Sequence, residues 1–348
     1  MLATAAGPLT IMADQDALPV FAETVRWEDA QSALAAHELG DGLPLVPPTA
    51  RRLEEMLDGV ADPARSHGLV PPLFGDLTAR AVAYNCVLAG CRPPELPVVL
   101  SAVQACLEPC FNLLGVLTTT GAPAIATIVH GPLAQNLAMN AGTNCLGPGN
   151  GANATLGRAV SLVMRNIGGA RAVTGDMATM GQPGKYTFCF AESDAGIMPS
   201  LPVRRGFEVL ANMVTVLAVS GTMEVLPTGD GDTPDAILKA MAAAMTAGGA
   251  VASAGRRREP GEQFFLLPPE LAEKICKHGW DLARIQDYLF SASGVSMPEI
   301  AEFSRLCPAA RKPEDIHPIV TGGAGVKMSY LPLWGGGTFS VTRIVAAL

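Results

Sequence analysis

The sequence predicts an α/β fold, with mixed or parallel sheets flanked by helices. Three observations lead to this prediction. Segments that are almost entirely apolar, as buried strands are, alternate with helical patterns. Apolar strands followed by glycine-rich loops recur near residues 130, 221 and 322, which favours two related lobes. With 348 residues, 49% of them hydrophobic, the chain is also long enough for two cores.

The first 40 residues are predicted to form an arm and one helix. Four apolar residues spaced at helical intervals predict this helix over 27–37. The segment DGLPLVPPT that follows is predicted to be extended, because proline fixes its own φ and disfavours helix in the preceding residue. Thr49 is a suitable N-cap for a second helix over 50–57.

The first lobe is predicted to span residues 41–205. The apolar segment ELPVVLSAVQACL predicts a buried helix. The segments GVLTTT and AIATIVHGP are predicted to be strands, the second nearly without polar residues. A glycine-rich loop then leads into a helix over 154–167.

The second lobe is predicted to span residues 206–348. Strands are expected within VLANMVTVLAVSG, QFFLLPP and HPIVTGGAG, and a helix over 233–246. Pro269 and Gly279 bracket a further helix, and Asp281 is a suitable N-cap for the helix LARIQDYLF.

Charge and hydropathy exclude several classes of protein. A formal net charge of −8 argues against a nucleic-acid partner, since such proteins need a basic face. The one basic run, 256–258, is interpreted as a solvated loop. The sequence also lacks a run of about 20 apolar residues, so no membrane span is predicted.

The first 25 residues lack a cationic segment, so no signal peptide is predicted and a cytoplasmic location is expected. The eight cysteines are then expected to be thiols rather than disulfides. A charged content of only 16% predicts that some apolar surface is covered in a homo-oligomer.

The glycine-rich segment TNCLGPGNGANATLGRA is the first candidate site. A loop of this kind before a helix exposes backbone N–H groups and the positive end of the helix dipole, which suits a phosphate or carboxylate. Asn144, Asn150 and Asn153 supply amides, and Arg158 and Arg165 lie seven residues apart on one helix face. The alternative is a tight structural loop whose asparagines cap backbone groups. Neither nucleotide-binding fingerprint is present.

The segment GDMATMGQPGKYTFCFAE is the second candidate site, with Asp176, Lys185, Cys189 and Glu192 within it. If 185–191 is a strand, Lys185 and Cys189 share one face. An ammonium beside a thiol lowers the thiol pKa and produces a reactive thiolate. The alternative is that Cys189 is a small buried hydrophobic residue and Lys185 a solvated charge.

Histidines and the other cysteines give weaker indications. His130 ends an apolar strand, where residues of open α/β sheets reach a ligand crevice, and His317 opens another strand. Either is a candidate general base, although a structural role is more common. Cys86, Cys91, Cys106 and Cys110 lack the C-x2-C spacing typical of metal sites, so neither a metal nor a cofactor is predicted.

Several segments together resemble a bacterial family whose members carry DGLP-x-x-PPT near the start. The similar segments are AGCRPPELPVVLSAV, GPGNGANATLGRA, GQPGKYTFCFAE, LLPPELAEKI and VTGGAG, from about residue 41 to the end. Members of this family are associated with small UGSC-type redox proteins, which carry a selenocysteine-or-cysteine-Gly-Ser-Cys motif. The resemblance implies a partner role in thiol or selenol chemistry, and this chain has no such motif of its own.

The sequence thus favours a cytoplasmic enzyme that acts on a small anionic organic metabolite as a cysteine-assisted lyase or hydrolase, or in a thiol-linked redox step. Two alternatives stay open: a non-catalytic large subunit that docks a separate redox protein, and a binding protein for an anionic ligand. The predicted catalytic residues are Cys189, Lys185, His130 and Glu192, and the predicted substrate-binding residues are Asn144, Asn150, Asn153, Arg158 and Asp176.

Overall fold

A computed structural model describes residues 18–193, 196–229, 231, 233–252, 261–293 and 309–346. Most of the predicted N-terminal arm and the basic run at 256–258 lie outside the described residues.

The described helices are α1 (Trp27–Ala36), α2 (Ala50–Met56), α3 (Ala79–Ala89), α4 (Leu96–Cys106), α5 (Leu113–Thr118), α6 (Pro132–Asn136), α7 (Gly151–Asn166), α8 (Leu201–Arg204), α9 (Pro234–Ala252), α10 (Pro269–Lys277) and α11 (Leu282–Ser293). The described strands are β1 (Ser66–Val70), β2 (Gly75–Thr78), β3 (Ala124–His130), β4 (Cys189–Ala191), β5 (Met213–Val219), β6 (Met223–Val225), β7 (Gln263–Leu267), β8 (Ile316–Val320), β9 (Met328–Leu331) and β10 (Val341–Ile344).

Two four-stranded mixed sheets form the centre of the molecule, which confirms the predicted fold class. The first sheet has the strand order β10-β5-β3-β4, and the second has the order β6-β9-β7-β8. In each sheet the first two pairs in this order are antiparallel and the last pair is parallel. The strands β1 and β2 form a separate antiparallel pair.

The two sheets pack face to face between layers of helices. Along β3, Ala126 and Ile128 contact the second sheet, whereas Ile125 and Val129 join the core formed with α3, α4 and α7. This alternation is the period of two of a strand whose two faces are both buried. In the second sheet, β7 alternates in the same way against α9, α10 and α11. The layer order is therefore helix, sheet, sheet, helix.

The chain completes the second sheet with consecutive strands and then returns to the first sheet. After β5 ends in the first sheet, the chain crosses to form β6 at the edge of the second sheet; after β9, it crosses back to form β10 at the edge of the first. Strands β5 and β10 lie within 206–348 yet pair in the first sheet, so the predicted lobes share it. The boundary at 205 and 206 stays a prediction.

One predicted strand is wrong. The segment GVLTTT belongs largely to α5. Asn112 starts this helix from a left-handed conformation at φ 55°, and its side chain accepts a hydrogen bond from the N–H of Gly115. The N-cap interaction satisfies an otherwise free helical N–H, which stabilises a helix over a segment with strand-forming threonines.

No single helix in the described ranges is long and apolar enough to cross a bilayer; only the bent pair 93–106 and 109–118, at 74° to each other, reaches that length and apolarity together.

Candidate functional site

The Asn153 side chain holds the glycine-rich loop in place through hydrogen bonds to its backbone. Its side chain is 5% exposed and accepts a hydrogen bond from the N–H of Asn140 at 2.9 Å. Its amide nitrogen donates to the carbonyl oxygens of Asn140 and Cys145, at 2.9 and 3.1 Å. These three bonds join the start of the loop to the first turn of α7.

The other two predicted amides are also bonded to backbone. Asn150 is the N-cap of α7, since its side-chain oxygen accepts from the N–H of Asn153 at 2.9 Å while its amide donates to the carbonyl of Ala138. Asn144 donates to the carbonyl of Pro148 at 2.9 Å. These contacts favour the structural alternative for the loop, in which asparagines cap backbone groups. Anion binding there stays a prediction.

A second glycine-rich loop packs against this loop. Gly322, after β8, donates its N–H to the carbonyl of Ala141 at 2.9 Å. A Cβ on Gly323 would lie 2.2 Å from the hydroxyl of Thr143, closer than any real contact. Glycine is therefore needed where the loops that follow β3 and β8 touch.

Arg158 forms an ion pair with Asp41. Its guanidinium donates two hydrogen bonds to the Asp41 carboxylate, at 2.8 and 2.9 Å, across 117 positions of sequence. Burial raises the pKa of Asp41, but the hydrogen bonds and charge of Arg158 outweigh this effect and hold the pKa below its usual value. Arg158 thus anchors the DGLP segment to α7 rather than facing an anion alone.

The predicted pairing of Lys185 with Cys189 is wrong. Lys185 ends a 3₁₀ turn, Pro183–Lys185, and only residues from Cys189 onward are in the strand, so the two side chains do not share a strand face. Lys185 Nζ lies 2.6 Å from Asp176 Oδ2. Cys189 is 5% exposed within the core under α7, and burial raises its pKa, which suppresses the thiolate.

His130 and Glu192, by contrast, are brought together. The ring Nδ1 of His130 lies 2.7 Å from Glu192 Oε2, and its Nε2 lies 2.8 Å from the hydroxyl of Thr215. The N–H of Leu201, at the start of α8, also donates to Glu192. His130 is only 2% exposed, so this pair lies inside the protein at the end of β3.

A second histidine and glutamate pair lies in the same buried polar region. His317 Nε2 is 3.0 Å from Glu262 Oε1, and Arg205 donates to Glu262 at 2.9 Å and to Thr342 on β10 at 2.6 Å. Thr342 in turn contacts Thr215 at 2.8 Å, which links the two pairs. This inter-sheet polar network contains His130, Glu192, Thr215, Arg205, Glu262, His317 and Thr342.

Burial and charge act in opposite directions within this network. Burial lowers the pKa of His317 more than the neighbouring Glu262 raises it. Burial would raise the pKa of Glu262, but the hydrogen bond and charge of His317, with the charge of Arg205, lower it. The network therefore contains a charged carboxylate beside a histidine that resists protonation.

A cavity of about 200 Å³ lies between the N-terminal end of β3 and the C-terminal part of α7. Its position brings together three segments that are far apart in sequence: the DGLP segment, the 170–176 turn and the 3₁₀ turn before β4. The lining residues are Asp41, Val116, Leu117, Pro123, Ala124, Ile125, Ser161, Met164, Arg165, Ala170, Ala172, Asp176, Lys185 and Tyr186.

Arg165 is the unpaired charge of this cavity. Its Nε is buried without a hydrogen-bond partner, and within the described ranges its guanidinium forms no ion pair. Burial lowers the pKa of Arg165, with a smaller contribution from Arg171, yet a guanidinium keeps its charge at neutral pH. A guanidinium that lines a cavity without an ion-pair partner suits an anionic ligand.

Two hydroxyl groups complete the polar lining. Ser161 lies one helical turn before Arg165 on α7, and its hydroxyl makes no hydrogen bond among the described residues. Tyr186 is 47% exposed, and its phenol is likewise without a partner in the part of the chain that is described. The cavity thus offers a cation and two hydroxyls to a bound molecule.

Part of this site follows from the sequence. Asp176 and Lys185 were predicted and line the cavity, and Asp41 lies in a motif that was noted. Arg165 was noted only as a neighbour of Arg158, because helical spacing does not show which of two arginines finds a carboxylate. Cys189, His130, Glu192 and the three asparagines lie outside the cavity lining.

Within the described ranges, no group of three or more histidine, cysteine, aspartate or glutamate side chains is arranged to hold a metal ion. No family model matches the chain, and neither a curated protein nor a solved structure does. The function proposed below therefore rests on the geometry of the cavity.

Proposed function

We propose that the chain is an enzyme that binds a small anionic organic molecule in the cavity beside α7. One observation carries this proposal: the Arg165 guanidinium lines the cavity without a partner, while the other charged groups of the lining are already paired. A carboxylate or phosphate would supply charge-assisted hydrogen bonds that the protein itself leaves unmade.

In this proposal, proton transfer is carried out by Lys185, which is paired with Asp176. The Lys185 ammonium is held 2.6 Å from Asp176, and both side chains are about three-quarters buried. A lysine fixed beside a bound anion can donate a proton to a developing oxyanion or leaving group, and Asp176 orients it. This arrangement supports a lyase or hydrolase, whereas a thiol-linked step has lost its support because Cys189 is buried in the core.

Binding is the first test, because it requires no knowledge of the reaction. Titration calorimetry with small carboxylates and with inorganic phosphate should show binding to the native chain that is lost in Arg165→Gln. Arg51→Gln is the matched control, since the Arg51 side chain is exposed on α2 and forms ion pairs with Glu23 and Glu55. If the native chain, Arg165→Gln and Arg51→Gln bind these anions equally, Arg165 does not bind the anion and the proposal is wrong.

Turnover is the second test. The purified chain, without a second protein, is incubated with the anions that bind, and the products are followed by mass spectrometry. Lys185→Gln should lose turnover at least about a hundredfold, the size of a general acid contribution, while the folded fraction is unchanged. Turnover that survives in Lys185→Gln would assign proton transfer to another group.

A second candidate function is supported by the surface beside the cavity. Val173 and Met180 are 87% and 90% exposed, and Met177 is half exposed. Exposed apolar side chains grouped within eight residues are typical of a protein contact. In this alternative the chain is a subunit that docks a separate redox protein, and it predicts no turnover by the chain alone.

A further inference from the structure

We infer that the ligand of this cavity carries a single carboxylate on an apolar body. This inference rests on the proposed function and specifies its substrate class. It follows from how the charges around the cavity are already paired, from the nature of its walls and from its size.

The charges leave only one cation for the ligand. Lys185 is neutralised by Asp176 at 2.6 Å, and the carboxylate of Asp41 is neutralised by Arg158 at 2.8 Å. Among the charged residues of the lining, Arg165 is the one without an ion-pair partner in the described part of the chain. A ligand with a second anionic group would place it among paired charges or apolar atoms, where a charge is unfavourable.

The donors are placed for one carboxylate. Ser161 and Arg165 occupy positions four apart on α7 and therefore the same helix face, so a hydroxyl and a guanidinium are adjacent in the lining. A guanidinium binds the two oxygens of a carboxylate well because its N–H groups are planar and parallel.

The remaining wall is apolar. Val116 and Leu117 at the end of α5, Pro123 and Ile125 at the start of β3, and Met164 of α7 line the cavity. Its volume of about 200 Å³ is below the roughly 300–1,000 Å³ of pockets for drug-sized ligands, so a short ligand body is expected.

Pentanoate and glutarate test this inference, because both have five carbons and differ in one carboxylate. Calorimetry should show that the native chain binds pentanoate at least about tenfold more tightly than glutarate, as expected when a second charge is left without a partner. Asp176→Asn frees the Lys185 ammonium, so the affinity for glutarate should rise. The ratio of pentanoate affinity to glutarate affinity should then fall or reverse. Asp235→Asn is the control, since it removes the same charge from an exposed ion pair with Lys239.

The outcomes separate the inference from the proposed function. If glutarate or phosphate binds the native chain more tightly than pentanoate, and Arg165→Gln removes that binding, the proposed function stands and the inference is overturned. If neither acid binds and Arg165→Gln changes nothing, both are overturned.

A second variant covers the case in which Asp176→Asn fails to fold. Lys185→Gln leaves the Asp176 carboxylate without its cation, so it should weaken pentanoate binding through like-charge repulsion. Unchanged pentanoate binding in a folded Lys185→Gln protein would contradict the charge pairing on which the inference depends.

Discussion

At the scale of single residues, the partner of each polar side chain decides its role. Asn153 and Arg165 lie on the same helix, and both were noticed in the sequence. Asn153 has three backbone partners and is 5% exposed, so it is part of the framework. Arg165 lines the cavity without an ion-pair partner among the described residues, and on this basis it is proposed to bind the ligand. This difference comes from contacts rather than from residue type.

The framework role of Asn153 predicts a loss of stability without a loss of binding. Asn153→Ala removes the partners of the Asn140 N–H and of two carbonyl groups, so the free energy of unfolding should fall by about 1–3 kcal/mol. Urea unfolding measures this change. Asn144→Gly is the control, because glycine keeps the left-handed conformation at φ 60° and only one exposed bond is lost. If phosphate stabilises the native chain but not Asn153→Ala, the loop is an anion site after all.

At the scale of elements, the packing of α7 on the first sheet positions the cavity. Gly157 lies on the face of α7 toward the segment that leads into β4, and an added Cβ would lie 2.5 Å from Thr187 Oγ1 and 2.7 Å from the backbone nitrogen of Phe188. The helix can approach this closely only because residue 157 has no side chain. Arg165, two turns further along the same helix, depends on that approach for its place in the cavity lining.

Gly157→Ala should therefore be destabilising although alanine is the better helix former. The clash with the backbone should lower the free energy of unfolding by about 1–3 kcal/mol. This loss exceeds the stabilisation that alanine provides over glycine inside a helix. Gly151→Ala is the matched control, since nothing lies within 4 Å of its added Cβ, and it should change stability by less than about 1 kcal/mol. Thermal or urea unfolding compares the two, and equal effects would contradict the close packing.

At the scale of the whole molecule, the two sheets are held together by their face-to-face contact and by the chain itself, which returns from β9 in the second sheet to β10 at the edge of the first. That contact contains a cluster of buried apolar side chains from both sheets, with the inter-sheet polar network alongside it. The network ties β10 to both sheets through the bonds from Arg205 to Thr342 and to Glu262. Its protonation state should therefore influence the stability of the entire fold.

Acid should destabilise the molecule partly through His317. Because burial lowers the pKa of folded His317 below its usual value of 6.5, the unfolded chain takes up a proton at a higher pH than the folded chain. The contribution of neutral His317 to the free energy of unfolding is complete above about pH 6.5, and it is lost as the pH falls below that value. The lowered pKa of Glu262 acts in the same direction, but only below its usual value of 4.5.

Urea unfolding of the native chain and of His317→Gln at pH 7.5 and 5.5 tests this expectation. Glutamine can still donate to Glu262 but does not titrate, so the variant should lose less stability than the native chain between the two pH values. Identical losses would show that His317 does not contribute to the pH dependence.

Local patterns by themselves determined the fold class and many of the elements. Near-continuous apolar runs predicted β3, β5 and β7, because a strand buried on both faces leaves that pattern at any position in a sheet. N-caps at Thr49 and Asp281 were predicted as well, since a cap acts within three residues.

The tertiary structure alone decided which charges meet. Arg158 pairs with Asp41 across 117 positions, Lys185 pairs with Asp176 rather than Cys189, and Arg165 has no ion-pair partner among the described residues. It also decided that β10 returns to the edge of the first sheet after β6 to β9 have formed the second. The physical reason is that periodicity and capping depend on neighbours along the chain, whereas ion pairing, burial and cavities depend on distances between segments that only folding brings together.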